Sequence, residues 1–353
     1  MSQLFSERFR SARRLNGYSL QDLSDQLENK ISRQALHKYE KGEVMPDSEK
    51  IGLLCQALNV RPDYFFRENT VELGPIEFRK LQRFPAKEET RIIEIVRDKL
   101  SRYLELEEIL AQPYVFEHPL KDFGPVNKFS DIENAADRVR IAWKLGCDPI
   151  ANCIELLEDN GIKVVEVESE DSFDGMQTWV NGNIPVVAIN TKRIKAADRK
   201  RFTVLHELGH LLLTFKNGIP EKEKEKFCHQ FAGALLLPGR SLIVELGKSR
   251  SKLMIQELGM LKKEYGISIQ AIVMRARDLE IVSESYTSQF FFYMRQMGWR
   301  VQEPFEYESE EKSKRFEQLL FRALAEEFIS WSKAASLNNQ TLAEFREKTA
   351  LLV

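Results

Sequence analysis

At 353 residues the chain has material for two or three domains with their own cores, and its 43% hydrophobic and 30% charged residues exclude disordered and fibrous classes. With 52 basic and 54 acidic residues the formal charge is −2, so bulk charge cannot draw the molecule to nucleic acid and any such contact needs a local basic patch. MSQLFSERFRSARR lacks the apolar core of a signal peptide, no apolar run reaches the roughly 18–20 residues that span a bilayer, and four scattered cysteines form no CxxC pair; the expectation is a cytoplasmic protein without membrane association.

Residues 1 to about 66 read as a chain of short helices. Apolar positions in LFSERFRSARRL recur at helical spacing, and Ser19 and Ser32 stand where N-caps of two further helices belong. Gly42 and Pro46 punctuate the chain before a fourth amphipathic run, SEKIGLLCQALNV. The stretch 67–85, with Gly74, Pro75 and Pro85 and no sustained period, reads as a linker. A long helix is expected from 86 to about 112, with Ile92, Val96, Leu100, Tyr103 and Leu104 on one face. Loop follows over 113–129. Two helices, about 131–145 and 148–160, the second ended by Asn160-Gly161, lead into the strand IKVVEVE. MQTWVNGNIPVVAIN carries Asn-Gly between two β-prone runs and predicts a hairpin. Helices over about 196–216 and 221–236 come next, and most of the remainder is helical.

The strongest chemical signal is RFTVLHELGHLLL, which contains H-E-x-x-H at His206, Glu207 and His210. Residues four apart share a helix face with Cβ atoms about 5–6 Å apart, so two imidazoles there can reach one Zn²⁺ at about 2.0–2.1 Å. Glu207 lies about 100° round the helix from His206, which sets its carboxylate beside the metal's water and suits a general base. Two incidental histidines are the bland alternative. The apolar surroundings, Phe202, Val204, Leu205, Leu208, Leu211 and Leu212, argue against it, since unpaired imidazoles are unfavourable in a buried helix. A catalytic zinc needs a third protein ligand and an open fourth position. KEKEKFCHQFAGALLLP offers Glu225 and His229, four apart on one face, and spacing alone does not separate them.

RFTVLHELGHLLL followed by E-x-x-C-H-x-FAGALLLP resembles the ImmA/IrrE family of metallopeptidases, and DPIANCIELLEDNGIKV, FDGMQTW and PVVAIN are similar to the segments that precede its zinc helix. The resemblance covers roughly 130–240. It implies Glu225 as third ligand, with Cys228 and His229 standing at the family's Ala and Asn positions. His229 is then a neighbour of the ligands or a competing ligand. The implied chemistry is zinc-assisted peptide hydrolysis with Glu207 as general base. An extended substrate is expected to pair with an exposed edge of the 176–190 hairpin.

Within 1–68, YSLQDLSDQLENKISRQALHKYEKGEVMP resembles the lambda-repressor-like, XRE-type helix-turn-helix family. The resemblance implies a second helix at about 19–27 and a recognition helix at about 32–41 that enters the major groove of double-stranded DNA. Ser32, Arg33, Gln34, His37 and Lys38 are the implied readers. Arg33 suits guanine and Gln34 adenine. Arg8, Arg10, Arg13, Arg14 and Lys41 are candidates for phosphate contacts. Leu20 stands where this family usually has Gln, which removes one such contact.

Together these readings predict an α+β, mostly helical chain. A five-helix lambda-repressor-like domain occupies 1–68, a linker and long helix 69–129, a zincin-like metallopeptidase domain with a small β-sheet 130–240, and a helical C-terminal region 241–353 with a helix-turn-helix-like segment at 251–283. Arg275 and Arg277 of that segment are expected to serve packing. RFEQLLFRALAEEFISWSKAA reads as one amphipathic helix that closes a core or forms a dimer face. The expected function is a transcriptional regulator with a zinc-dependent endopeptidase domain that cleaves a repressor-like protein, acting as a homodimer on DNA. The alternative is a non-proteolytic repressor or antitoxin whose peptidase-like domain grips a toxin-like partner.

Overall fold

Ser19, Ser32 and Asp47 each stop their own backbone short of a helix and accept a hydrogen bond from the amide three residues on, and this capping organises the N-terminal helices. The computed structural model describes residues 2–68, 71–80, 85–112, 115–170 and 173–350. They form two compact units, one of Met1–Leu73, Gln82–Tyr114 and Lys314–Val353, the other of Gly74–Leu81 and Val115–Ser313. This division departs from the expected order along the chain. The long helix joins the first unit, and the expected C-terminal region is split between the two.

In the first unit α1 (Ser2–Leu15), α2 (Leu20–Gln26), α3 (Arg33–Glu40) and α4 (Ser48–Leu58) surround Phe9, Leu23, Leu36 and Leu54, all fully buried. Each such side chain contributes about 1.5–3 kcal/mol by leaving water. The expected fifth helix is a 3₁₀ turn at Pro62–Phe66 that seats Phe65 in the same core. Helix α5 (Ala86–Ile109) packs along α1 with Ile92, Val96 and Leu100 buried. Leu106 is buried further along it, while Leu104 stays half-buried.

The second unit contains α6 (Phe129–Ala142) and α7 (Cys153–Asp159). The latter is capped by Asn152 and ended by Gly161 at φ 82°. Four strands, β1 (Glu77–Lys80), β2 (Lys163–Val167), β3 (Phe173–Val180) and β4 (Ile184–Asn190), form one sheet in the order β1-β3-β4-β2. β3 and β4 are the expected hairpin. Asn181 and Gly182 turn it with φ of 51° and 76°, the signs a type I′ turn requires, and Asn183 N donates to Val180 O at 3.2 Å. β2 runs parallel to β4, and β1 antiparallel to β3. The hairpin therefore has no open edge. The expectation of an exposed edge within 176–190 is corrected, because residues read as linker supply a fourth strand.

Under the sheet lies α8 (Ala197–Leu212), which packs on α9 (Glu221–Leu236), followed by α10 (Gly239–Leu246), α11 (Ile255–Tyr265), α12 (Ile269–Asp278) and α13 (Glu284–Gln296). Leu205 and Leu208 of α8 pack with Phe231 and Leu235 of α9 and with Val139 and Leu157, all essentially inaccessible. The expected helix-turn-helix-like segment is α11 and α12, joined through Gly266 at φ 60°. Its Arg275 is buried against Glu133 of α6 at 2.8 and 3.0 Å, as a packing residue should be.

The chain then returns to the first unit as α14 (Arg315–Ala325), α15 (Trp331–Leu337) and α16 (Leu342–Ala350). The single amphipathic helix expected here is two helices, broken where Glu327 takes φ 60° and Ser330 caps α15. Leu319 and Leu320 pack on Tyr103 and Leu106, so α14 closes a core. No helix among the described residues is long and apolar enough to cross a membrane.

Candidate metal centre and nucleic-acid face

Helix α8 is apolar on most of its circumference, so it is buried nearly all round and carries its polar residues into the interior. His206 is 0% and Glu207 1% exposed. Gly209 lets α9 approach. A Cβ there would stand 3.3 Å from the Cα and Sγ of Cys228. Cys228 is three residues after Glu225, about one turn, so this close crossing brings the Glu225 carboxylate over the histidines.

His206 Nε2 and His210 Nε2 are 3.1 Å apart, with Glu225 Oε2 3.3 Å from the first and Oε1 3.1 Å from the second. Hydrogen bonding to His206 and His210 holds the Glu225 carboxyl well below the usual carboxylate range, against the opposite pull of partial burial. Among the described residues these three form the group of side chains able to hold a metal ion, each offering one atom within 4.8 Å of the others. Donors bound tetrahedrally at about 2.0–2.1 Å stand about 3.3 Å apart, and two imidazoles with one carboxylate is a donor set zinc takes in catalytic sites. The residues fit the ion.

His229 sits elsewhere in the arrangement. Its Nδ1 bonds to its own helix's carbonyl at Glu225 O, 2.6 Å away, and its ring packs on His206 with centroids 4.3 Å apart. It falls outside the cluster of candidate donors and buttresses a member of it. Phe202, Glu225, His229, Gly233, Met274 and Arg275 belong to the wall of an adjoining cleft of 510 Å³.

Glu207, next to His206 on α8, lies against β3 of the sheet. A Cβ at Gly175 of β3 would lie 2.8 Å from Glu207 Oε1 and 3.0 Å from its Cγ, so only glycine leaves room for this carboxylate. Beside Gly175, the buried Asp174 accepts from Arg193 Nε at 2.6 Å and from an Arg199 amine at 3.1 Å, which ties β3 to the first turn of α8. Sequence reasoning missed Gly175 and Gly209. Gly175 stands one residue before the predicted hairpin and Gly209 inside the H-E-x-x-H helix, and neither position was marked by a local pattern.

On the first unit, Arg33, Gln34, His37 and Lys38 are exposed on α3 and line one concavity of 660 Å³ together with Ser32, Leu20 and Lys41. Ser32 also caps the helix, its Oγ accepting from Ala35 N at 3.3 Å. Of the expected phosphate contacts, Arg8 is corrected. It is 2% exposed, donates to Tyr64 O at 3.0 Å and lies over the Tyr64 ring. Arg13 is bound to Glu40 at 2.6 Å, and Arg10 donates to Glu40 O at 3.1 Å. These side chains lock α1 to α3.

Fold and site thus define a helix-turn-helix unit joined to a metallopeptidase-like unit. Comparison with protein families agrees, segment by segment: residues 9–65 match the family described as Helix-turn-helix, and residues 157–277 match Peptidase_M78, the IrrE N-terminal-like domain. The second match runs from the end of α7 to the end of α12, past the limit expected from the sequence. No curated protein matches the chain.

Proposed function

We propose that the chain is a cytoplasmic transcriptional regulator whose second unit is a zinc-dependent endopeptidase acting on a repressor-like protein. One observation carries this reading. Two imidazoles and a carboxylate converge from α8 and α9, and a second carboxylate, Glu207, outside that donor group, lies against Gly175 of β3. His206, His210 and Glu225 would hold the ion, which when bound supplies Lewis acidity toward a carbonyl and a water. Glu207 takes the proton from the attacking water and delivers it to the leaving amine. A fold that only grips a partner has no use for that carboxylate. The exposed face of α3 supplies double-stranded DNA as the other partner, with Arg33 and Gln34 toward base edges and Lys38 toward phosphate.

The test pairs metal content with cleavage. Elemental analysis should show zinc in the unaltered protein, in Glu207→Gln and in His229→Ala, and its loss in Glu225→Gln. Incubation with cell extract should yield new peptide termini with the unaltered protein alone. Undiminished cutting by Glu207→Gln sinks the mechanism, and full zinc in Glu225→Gln with loss in His229→Ala reverses the ligand assignment.

A further inference from the structure

In the sheet order β1-β3-β4-β2, β4 covers one edge of β3 and β1 the other. β3 is also the strand on whose Gly175 the Glu207 carboxylate rests. Any segment recognised by strand addition beside this carboxylate must therefore take the place now held by residues 77–80.

We propose that the outer edge of β3 is the substrate-binding strand of the peptidase site and that β1 is its resident occupant. The site takes an extended polypeptide segment running antiparallel to β3, and the chain's own residues 74–80 block it until displaced. This rests on the peptidase reading above and adds to it the form of the substrate and a reason for restraint.

Three features support it. Direction and register come first: Glu77 pairs with Gln177, Phe78 with Met176 and Lys80 with Phe173, antiparallel. Neighbouring strands lie about 4.8 Å apart, so the backbone of 78–80 passes close to the strand atoms that touch the general base. Second, the register shifts between Phe78 and Lys80. Asp174 and Gly175 together face the one residue between them, so the ladder is interrupted beside Glu207, a bulge of the kind that strands carry next to active sites. Third, the occupant is fastened at one end. Gly74 N donates to Trp179 O at 2.8 Å, and Thr178 Oγ1 donates to Pro75 O at 3.1 Å. Beyond that clasp a strand of four residues with a broken register adds little stability, so a competing segment can lift it. Recognition through backbone bonds also explains how one edge serves both the resident segment and an unrelated substrate.

Amide hydrogen exchange on the full chain tests this without reference to turnover. It uses zinc-loaded Glu207→Gln protein, in which nothing is cut. Phe78→Pro with Lys80→Pro removes two backbone donors from β1, and exchange of the β3 amides within 173–177 that face β1 should rise at least tenfold. A synthetic peptide of residues 72–80 should restore their protection in the variant and leave the unaltered strand's pattern unchanged. Replacement of 77–80 by Gly and Ser is the second variant, with the same expectation. Unchanged exchange in both variants, or a peptide that restores nothing, overturns the proposal. With Glu207 intact, the proline variant should cut unfolded casein at least tenfold faster than the unaltered chain, and equal rates in two cutting forms overturn the blocking role. Should no form cut, the peptidase reading fails while the exchange result still decides who occupies the edge.

Discussion

Glycine is where the candidate site is most exposed to a single substitution. Gly175 and Gly209 each mark a place where another element comes closer than a Cβ allows, the Glu207 carboxylate in one case and the backbone of α9 in the other. Gly175→Ala puts a methyl 2.8 Å from Glu207 Oε1, so the carboxylate must shift, while His206, His210 and Glu225 have no close contact with that methyl. The expected result is zinc content equal to that of the unaltered protein and cleavage reduced roughly ten- to a hundred-fold, the usual cost of misplacing a catalytic group by up to an ångström. Lost zinc, or full activity, contradicts the geometry described above. His206 and His210 could be read from four-residue spacing, and Glu207 from its place about 100° round the same helix, because a helix fixes where its side chains point. The choice between Glu225 and His229 could not, since both obey that spacing. In the structure Glu225 groups with the two histidines, whereas His229 Nδ1 bonds to the carbonyl one turn back and its ring packs on His206.

Elements that were legible share a local cause. The hairpin follows from Asn181-Gly182, and α2, α3 and α4 follow from their capping residues. Two elements failed for non-local reasons. β1 has no alternating pattern of its own and is a strand only because β3 offers an edge. The break after α14 is a left-handed Glu327, which no glycine announces. The stretch before α14 also supplies a buried contact of the second unit that no local pattern announces. Arg201 of α8 and Glu311 are both 0% exposed and bonded to each other. Glu311 Oε2 also accepts from Cys153 N at 2.9 Å at the start of α7, and an Arg201 amine donates to Ile150 O at 2.6 Å. Glu311→Ala leaves a buried guanidinium without its counter-charge and two amides of α7 without an acceptor. Breaking such a pair costs about 3–5 kcal/mol, which corresponds to a fall in Tm of roughly 6–20 °C for a unit of this size. A calorimetric transition moved by less than a degree or two would show that the pair is replaceable by water.

At the scale of the molecule, the two units are not consecutive in the chain. The first is assembled from three separated segments. Composition and punctuation locate loops, but nothing local says that α14 belongs with α5, because that pairing is made by Tyr103 and Leu106 meeting Leu319 and Leu320 from far along the sequence. The same distribution bears on DNA. A net charge of −2 provides no general attraction, and Arg8, Arg10 and Arg13, which raise the local count of cations, are engaged with Tyr64 and Glu40. The face of α3 retains Arg33, Lys38 and Lys41. With Arg33 on a base and about two phosphates neutralised per helix-turn-helix unit, by Lys38 and Lys41, log K should fall against log salt with a slope of about −1.8, so affinity drops about 12-fold between 50 and 200 mM salt. Two units on one site would double the slope. Lys38→Ala should reduce it by about one while weakening all sequences alike, whereas Gln34→Ala should leave the slope unchanged and relax discrimination at one base. The measurement is a titration of the full chain with duplex DNA at several salt concentrations, first on a random duplex and then on a selected one. A slope steeper than −6 would mean that cations outside this face carry the binding, and a slope near zero would remove the phosphate-led interface altogether.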